Sequence, residues 1–156
     1  SRKNLYDSIA YLSKYSKKKK VNLYLENNVI EHYNSKEANN RYHFINFKDS
    51  DFIIQLINKF KIGILLDVGH LKITSKSLKF NSKKFVEKYS KHIKIVHLSD
   101  NNGLIDQNKI LTKKSWFWNF IPWQQIEYVS LELKNYSYNK LISQVKFVEN
   151  QINKYI

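Results

Sequence analysis

The sequence predicts an α/β fold made of parallel strand–helix units, on three observations. Apolar stretches of strand length alternate with amphipathic stretches of helix length along all 156 residues. No tight-turn signal joins neighbouring strands, since Asn102-Gly103 lies inside a long loop. The strands are short and almost wholly apolar, as expected where both faces are covered. Four such units amount to half of an eight-stranded barrel, which ordinarily needs about 250 residues. A small open parallel sheet is the structural alternative.

The elements follow in order. Leu5, Ile9, Leu12 and Tyr15 have helical spacing, and the run Lys17 to Lys20 closes that helix with cations suited to its carbonyl end. Val21 to Glu26 reads as the first strand, and polar, Asn-rich sequence follows from Asn27 to Asn46. Asp49 or Ser50 caps a second helix through Phe60, with Phe52, Ile53, Leu56, Ile57 and Phe60 on its buried stripe. Ile62 to Asp67 is the second strand. Ser82 starts a helix reaching about Ser90, with Phe85, Val86 and Tyr89 inward, and Ile93 to Leu98 is the third strand. Asp100 to Thr112 is a loop, Ser115 to Phe120 a short helix before Pro122, Val129 to Leu133 the fourth strand, and Tyr138 to Tyr155 a final helix.

Composition narrows the chemistry. The chain has no cysteine, which excludes disulfides, zinc–thiolate sites and thiol nucleophiles. Its most apolar stretch, Ile62 to Leu71, is interrupted by Asp67 and His70 and is too short to span a bilayer. With a mean hydropathy of -0.54 and no leader-like N-terminus, a cytoplasmic protein is expected, with no membrane partner. The net charge of +14 raises nucleic acid as a partner. Arg2 and Arg41 are the only arginines among 27 basic residues, however, and arginine is the usual bidentate reader of phosphates and bases. The chain starts at Ser1 and lacks Met, so a fragment or processed piece is expected, read as one domain over residues 1–156.

Each predicted strand ends in a potential metal ligand: Glu26, Asp67, His97 and Glu132, at intervals of 41, 30 and 35 residues. In a parallel barrel the C-terminal strand ends meet at one mouth, so these side chains converge. Four buried, unpaired charges would be costly, and a divalent cation removes that cost. Three carboxylates and an imidazole form an oxygen-rich donor set suited to Mn²⁺ or Mg²⁺, with Zn²⁺ or Co²⁺ as alternatives. His32, His43 and His92 have no partner at metal spacing, and Trp116, Trp118 and Trp123 are read as core rather than as a pocket wall. Arg41 is a weaker candidate for a substrate phosphate.

Four segments carry a family resemblance. Leu23 to Asn28 (LYLENN), Leu65 to His70 (LLDVGH), Val96 to Asn101 (VHLSDN) and Ser130 to Leu133 (SLEL) resemble the xylose-isomerase-like TIM barrels, which include sugar phosphate isomerases/epimerases and endonuclease IV-type AP endonucleases (family 2). The resemblance runs from Val21 to the C-terminus and matches the last four β/α units, the C-terminal half of such a barrel. It implies Glu26, Asp67, His97 and Glu132 as metal ligands, with Glu26 and Glu132 also moving the catalytic proton. It further implies substrate contacts at His70, Asp100 and Asp106. The family segment that often reads D-x-H stands here as Asp106-Gln107-Asn108, so Asn108 replaces a histidine.

Three functions are in view. The first is a metal-dependent isomerase or epimerase acting on a small-molecule sugar or sugar phosphate through an enediolate. The second is an AP endonuclease acting on abasic DNA, against which Asn108 and the scarcity of arginine count. The third is an inactive half-barrel that needs a missing N-terminal half or a second copy of itself (a homo-oligomer) to close the sheet.

Overall fold

The computed structural model describes residues 1–34 and 47–156. Arg41 and His43 lie outside the described residues, as does much of the Asn-rich stretch. Helix α1 (Arg2–Lys19) opens the chain, its first turn held where Ser1 Oγ accepts the Asn4 N–H. Then come β1 (Tyr24–Glu26), α2 (Ser50–Phe60), β2 (Gly63–Asp67), α3 (Val68–Ser77), α4 (Ser82–Tyr89), β3 (Ile93–Leu98), β4 (Tyr128–Leu131) and α5 (Tyr138–Ile152).

The four strands form one parallel sheet in the order β1-β2-β3-β4. Strand order that never reverses is the winding of a barrel, since successive right-handed crossovers then leave the helices on one face. The sheet is that of a partial TIM barrel. Ile64, Leu66, Val96 and Leu98 point into the helical layer and are fully buried beside Ile53, Ile57, Phe85 and Tyr89. By register, Glu26, Leu65, Asp67, Ile95, His97 and Ser130 share the opposite face. That face would be the inside of a closed barrel, and most of it is exposed or half-buried, Asp67 excepted.

Several expectations need correction. A helix not foreseen, α3, follows β2 without a linking residue. Val68, Gly69, Leu71, Ile73, Thr74, Ser75 and Ser77 are all buried, so the helix is covered around most of its circumference and shows no amphipathic stripe to read. The cap of α4 is Asn81 rather than Ser82, its side chain accepting the N–H groups of Lys83 and Lys84. Asp49 precedes α2 but makes no side-chain cap hydrogen bond.

Ser115 to Phe120 forms turns, not a helix, and a 3-10 turn follows at Trp123–Gln125. The indole N–H of Trp118 donates to Thr112 O and that of Trp123 to Trp118 O. These indole bonds tie the turns to the backbone, while Phe117, Trp118 and Trp123 enter the core. The tryptophans are packing residues, as expected. Strands β1 and β4 are shorter than read, and α5 ends at Ile152. No described helix is long and apolar enough to cross a membrane.

Candidate metal centre

Strand register sets the site. Asp67 and His97 are paired neighbours at the ends of β2 and β3, and His97 is paired with Ser130 of β4. Glu132, two residues on, returns to the same face, and its N–H still donates to Leu98 O at 3.0 Å. One ligand atom each of Asp67, His97 and Glu132 lies within 4.8 Å of the others. His97 Nδ1 is 2.7 Å from Glu132 Oε1 and 3.9 Å from Glu26 Oε1. All four residues expected to converge are therefore gathered at one end of the sheet.

Asp67 is the most constrained of them. Its side chain is 1% exposed, and one oxygen caps α3 by accepting the His70 N–H at 2.7 Å. Burial pushes its pKa from 3.8 to about 6; nearby His70 opposes that rise, and the carboxylates of Glu132 and Glu26 add to it. A cation at this point would reverse the electrostatic balance.

Asn27, in the Leu23 to Asn28 segment, holds the first two strands together at the site. Its amide donates to Asp67 O and accepts from Asp67 N, both at 2.9 Å, and the residue is buried. The side chain thus acts as one more rung of the β1–β2 ladder, fixing Glu26 against Asp67. An Asn beside a strand-end Glu was the available signal.

The helix behind the site is equally locked. A Cβ on Gly69 would collide with Ser99 Oγ, so only glycine lets the first turn of α3 approach the Ser99–Asn101 segment this closely. Asn101 Nδ2 then donates to Gly69 O at 3.0 Å.

The remaining predicted site residues divide. His70 Nδ1 lies 3.1 Å from Asn27 O, a contact that needs the proton on Nδ1 and leaves Nε2 facing Asp106 Oδ2 at 3.7 Å. His70, Asp106, Asn108 and Glu132 line a cavity of about 440 Å³ beside these candidate ligands. Asp100 is placed differently. Its Oδ1 meets Lys72 Nζ at 2.5 Å and the Asn101 N–H, and its Oδ2 accepts from Ser115 Oγ. Both oxygens are engaged in fixing the loop, and Asp100 does not line that cavity.

The donor chemistry fits a divalent cation. His97 Nδ1 is buried with no hydrogen bond even though a carboxylate oxygen is 2.7 Å away, because the orientation is wrong for one. Two ligands on one ion stand in that relation. Asp106 Oδ1 and Asn108 Oδ1 are likewise buried without partners. A second grouping, Glu26, Asp67 and His70, also lies within 4.8 Å. Its histidine presents Nδ1 to those carboxylates at 3.6 and 3.7 Å, and that nitrogen is the one hydrogen-bonded to Asn27.

The sequence profile of a family described as "Xylose isomerase-like TIM barrel" matches residues 1–132. Among solved structures, the chain resembles a "D-tagatose 3-epimerase-like protein" with a TM-score of 0.65 at 16% identity. The match covers 99% of this chain and 55% of that one, so the chain spans about half the length of its structural relative. No curated protein matches.

Proposed function

This chain belongs to the xylose isomerase-like TIM barrel family, and from that premise we propose that it carries the metal-binding end of a sugar or sugar-phosphate isomerase or epimerase. The observation that carries the reading is a gradient of exposure across the gathered carboxylates. Asp67 is 1% exposed and can serve an ion only, whereas Glu26 at 42% and Glu132 at 34% open towards the space where a substrate would lie.

Asp67, His97 and Glu132, with Glu26, would hold the cation, and the carboxylate-rich set favours Mn²⁺ or Mg²⁺ over Zn²⁺ or Co²⁺. When bound, such an ion polarises a substrate carbonyl and acidifies the adjacent C–H. One glutamate takes that proton, leaving an enediolate, and the other returns it, to the opposite face for epimerisation. Glu26 ends the first strand and Glu132 directly follows the last, so the two flank the site from two sides. His70 Nε2 and Asp106 face the cavity and would hold substrate hydroxyls. Among the described residues both edges of the sheet are open, and a further half-barrel or a second copy of this chain would complete the enclosure.

The test is solvent exchange. The Mn²⁺-loaded protein, incubated in D₂O with a panel of ketoses and their phosphates, should place deuterium at the carbon next to the carbonyl, read by proton NMR. Absence of exchange across the panel with metal bound would overturn the assignment.

A second reading, cleavage of abasic DNA, draws on the overlapping Glu26–Asp67–His70 group, which would allow two ions to share Asp67. The proton on His70 Nδ1 speaks against it. More than one bound metal per chain together with abasic-site cleavage would favour this reading over the first.

A further inference from the structure

The opposite end of the sheet carries an unassigned cavity. Its walls come from the end of α1, the start of β1, the α2–β2 junction and the residues entering β3 and β4, all at the N-terminal ends of the strands. Gly63 lies there and Asp67 at the metal centre, four residues apart, which separates the two sites by about 13 Å along β2. The cavity encloses about 310 Å³.

Its lining is strongly basic. Lys17, Lys61, Lys91 and Lys94 all border it, and none of their ammonium groups makes an ion pair or hydrogen bond among the described residues. The one lining carboxylate, Glu127, has its Oε2 held by the Tyr24 hydroxyl at 2.9 Å. Lys17 and Lys61 stand at the carbonyl ends of α1 and α2, where cations suit the helix dipole. Lys94 has no such explanation, because it lies within β3.

The placement of Lys94 is a built feature. Ile64 pairs with Ile93 but Leu65 pairs with Ile95, so Lys94 is an extra residue with no partner on β2. Such a bulge re-aims a side chain, and here Lys94 Cγ comes within 3.4 Å of where a Gly63 Cβ would stand. The Tyr24 ring lies over the same glycine, 2.6 Å from that position, and supplies a flat wall beside the Lys94 stem. His92 completes the rim. Burial first, then the Lys91 and Lys94 charges, hold its pKa below the ordinary value, so it stays neutral at pH 7 and can still donate one hydrogen bond.

We infer that this cavity is a binding site for a phosphate-bearing small molecule, gripped by Lys61, Lys91 and Lys94 and walled by Tyr24. The site is independent of the sugar-chemistry reading. Its charge, its size and its distance from the metal centre suit a second ligand rather than a part of the first, and 310 Å³ is at the small end of ligand cavities.

Titration of the ¹⁵N-labelled chain with inorganic pyrophosphate, in EDTA and 150 mM NaCl, tests this by NMR. Saturable shifts should centre on the amides of Gly63, Lys94 and Tyr24, and Lys61→Gln/Lys94→Gln should weaken binding at least tenfold. Glu132→Gln, at the far end, should bind as tightly as the unaltered chain. A circular dichroism spectrum matching the parent shows that the double variant is folded, and Lys94→Arg should retain binding if the double variant proves unfolded. Shifts scattered over all lysine-rich surfaces, or equal affinity in the double variant, would overturn the assignment.

Discussion

Replacing Asp67 by Asn should make the metal-free protein more stable, although it removes a residue at the centre of the site. The Asp67 pKa rises from 3.8 to about 6 on folding. At about 1.4 kcal/mol per pK unit, keeping the buried carboxylate ionised costs about 3 kcal/mol. The sign follows from proton counting. Between pH 3.8 and about 6 the folded chain keeps a proton that the unfolded chain has lost. Stability from this group therefore falls as pH rises through that window and stays low above it. The substituted amide carries no charge, and Asn caps a helix about as well as Asp, so the bond to the His70 N–H survives.

Urea unfolding in EDTA is the assay. At pH 7.5 Asp67→Asn should exceed the parent by up to about 3 kcal/mol, shrinking below about 1 kcal/mol at pH 4. Millimolar Mn²⁺ should raise the parent and leave the variant unmoved. A variant no more stable than the parent at pH 7.5, or an advantage that does not change with pH, would refute the reasoning.

Three further outcomes are expected. Glu132→Gln should keep the fold, by circular dichroism, and lower solvent exchange or turnover at least a hundredfold; near-parental rates would remove Glu132 from the proton path. Asn27→Ala should cost about 1–3 kcal/mol, since it strands the buried Asp67 N–H and carbonyl, and should weaken Mn²⁺ binding about tenfold, measured by calorimetry. Gly69→Ala should lose about 1–3 kcal/mol through the collision with Ser99, and adding Ser99→Ala should recover part of that loss; strict additivity in urea unfolding would show that the two do not touch.

Much of this was legible in the residues themselves. Strand ends at Glu26, Asp67 and His97 follow from apolar runs that stop at a polar side chain, and parallel register then brings Asp67 beside His97. Helix α3 was not legible, because periodicity reports a half-buried helix and this one is covered almost all round. The turns at Ser115 to Phe120 were not legible because local spacing cannot show that the adjacent Phe117 and Trp118, with Trp123, all enter the core. Asp100 shows the remaining limit. A motif names a carboxylate, but only the fold reveals that Lys72 and Ser115 already hold it.

The junction of β2 and α3 has a practical consequence. Since no residue separates strand from helix, a single carboxylate ends one and begins the other, and its second oxygen would be left to serve a cation. Occupancy should therefore be readable at the backbone: the His70 amide proton, tethered to Asp67 Oδ1, should exchange more slowly with solvent once the opposite oxygen is held. That one proton would serve as a built-in gauge of loading, legible without any substrate in hand.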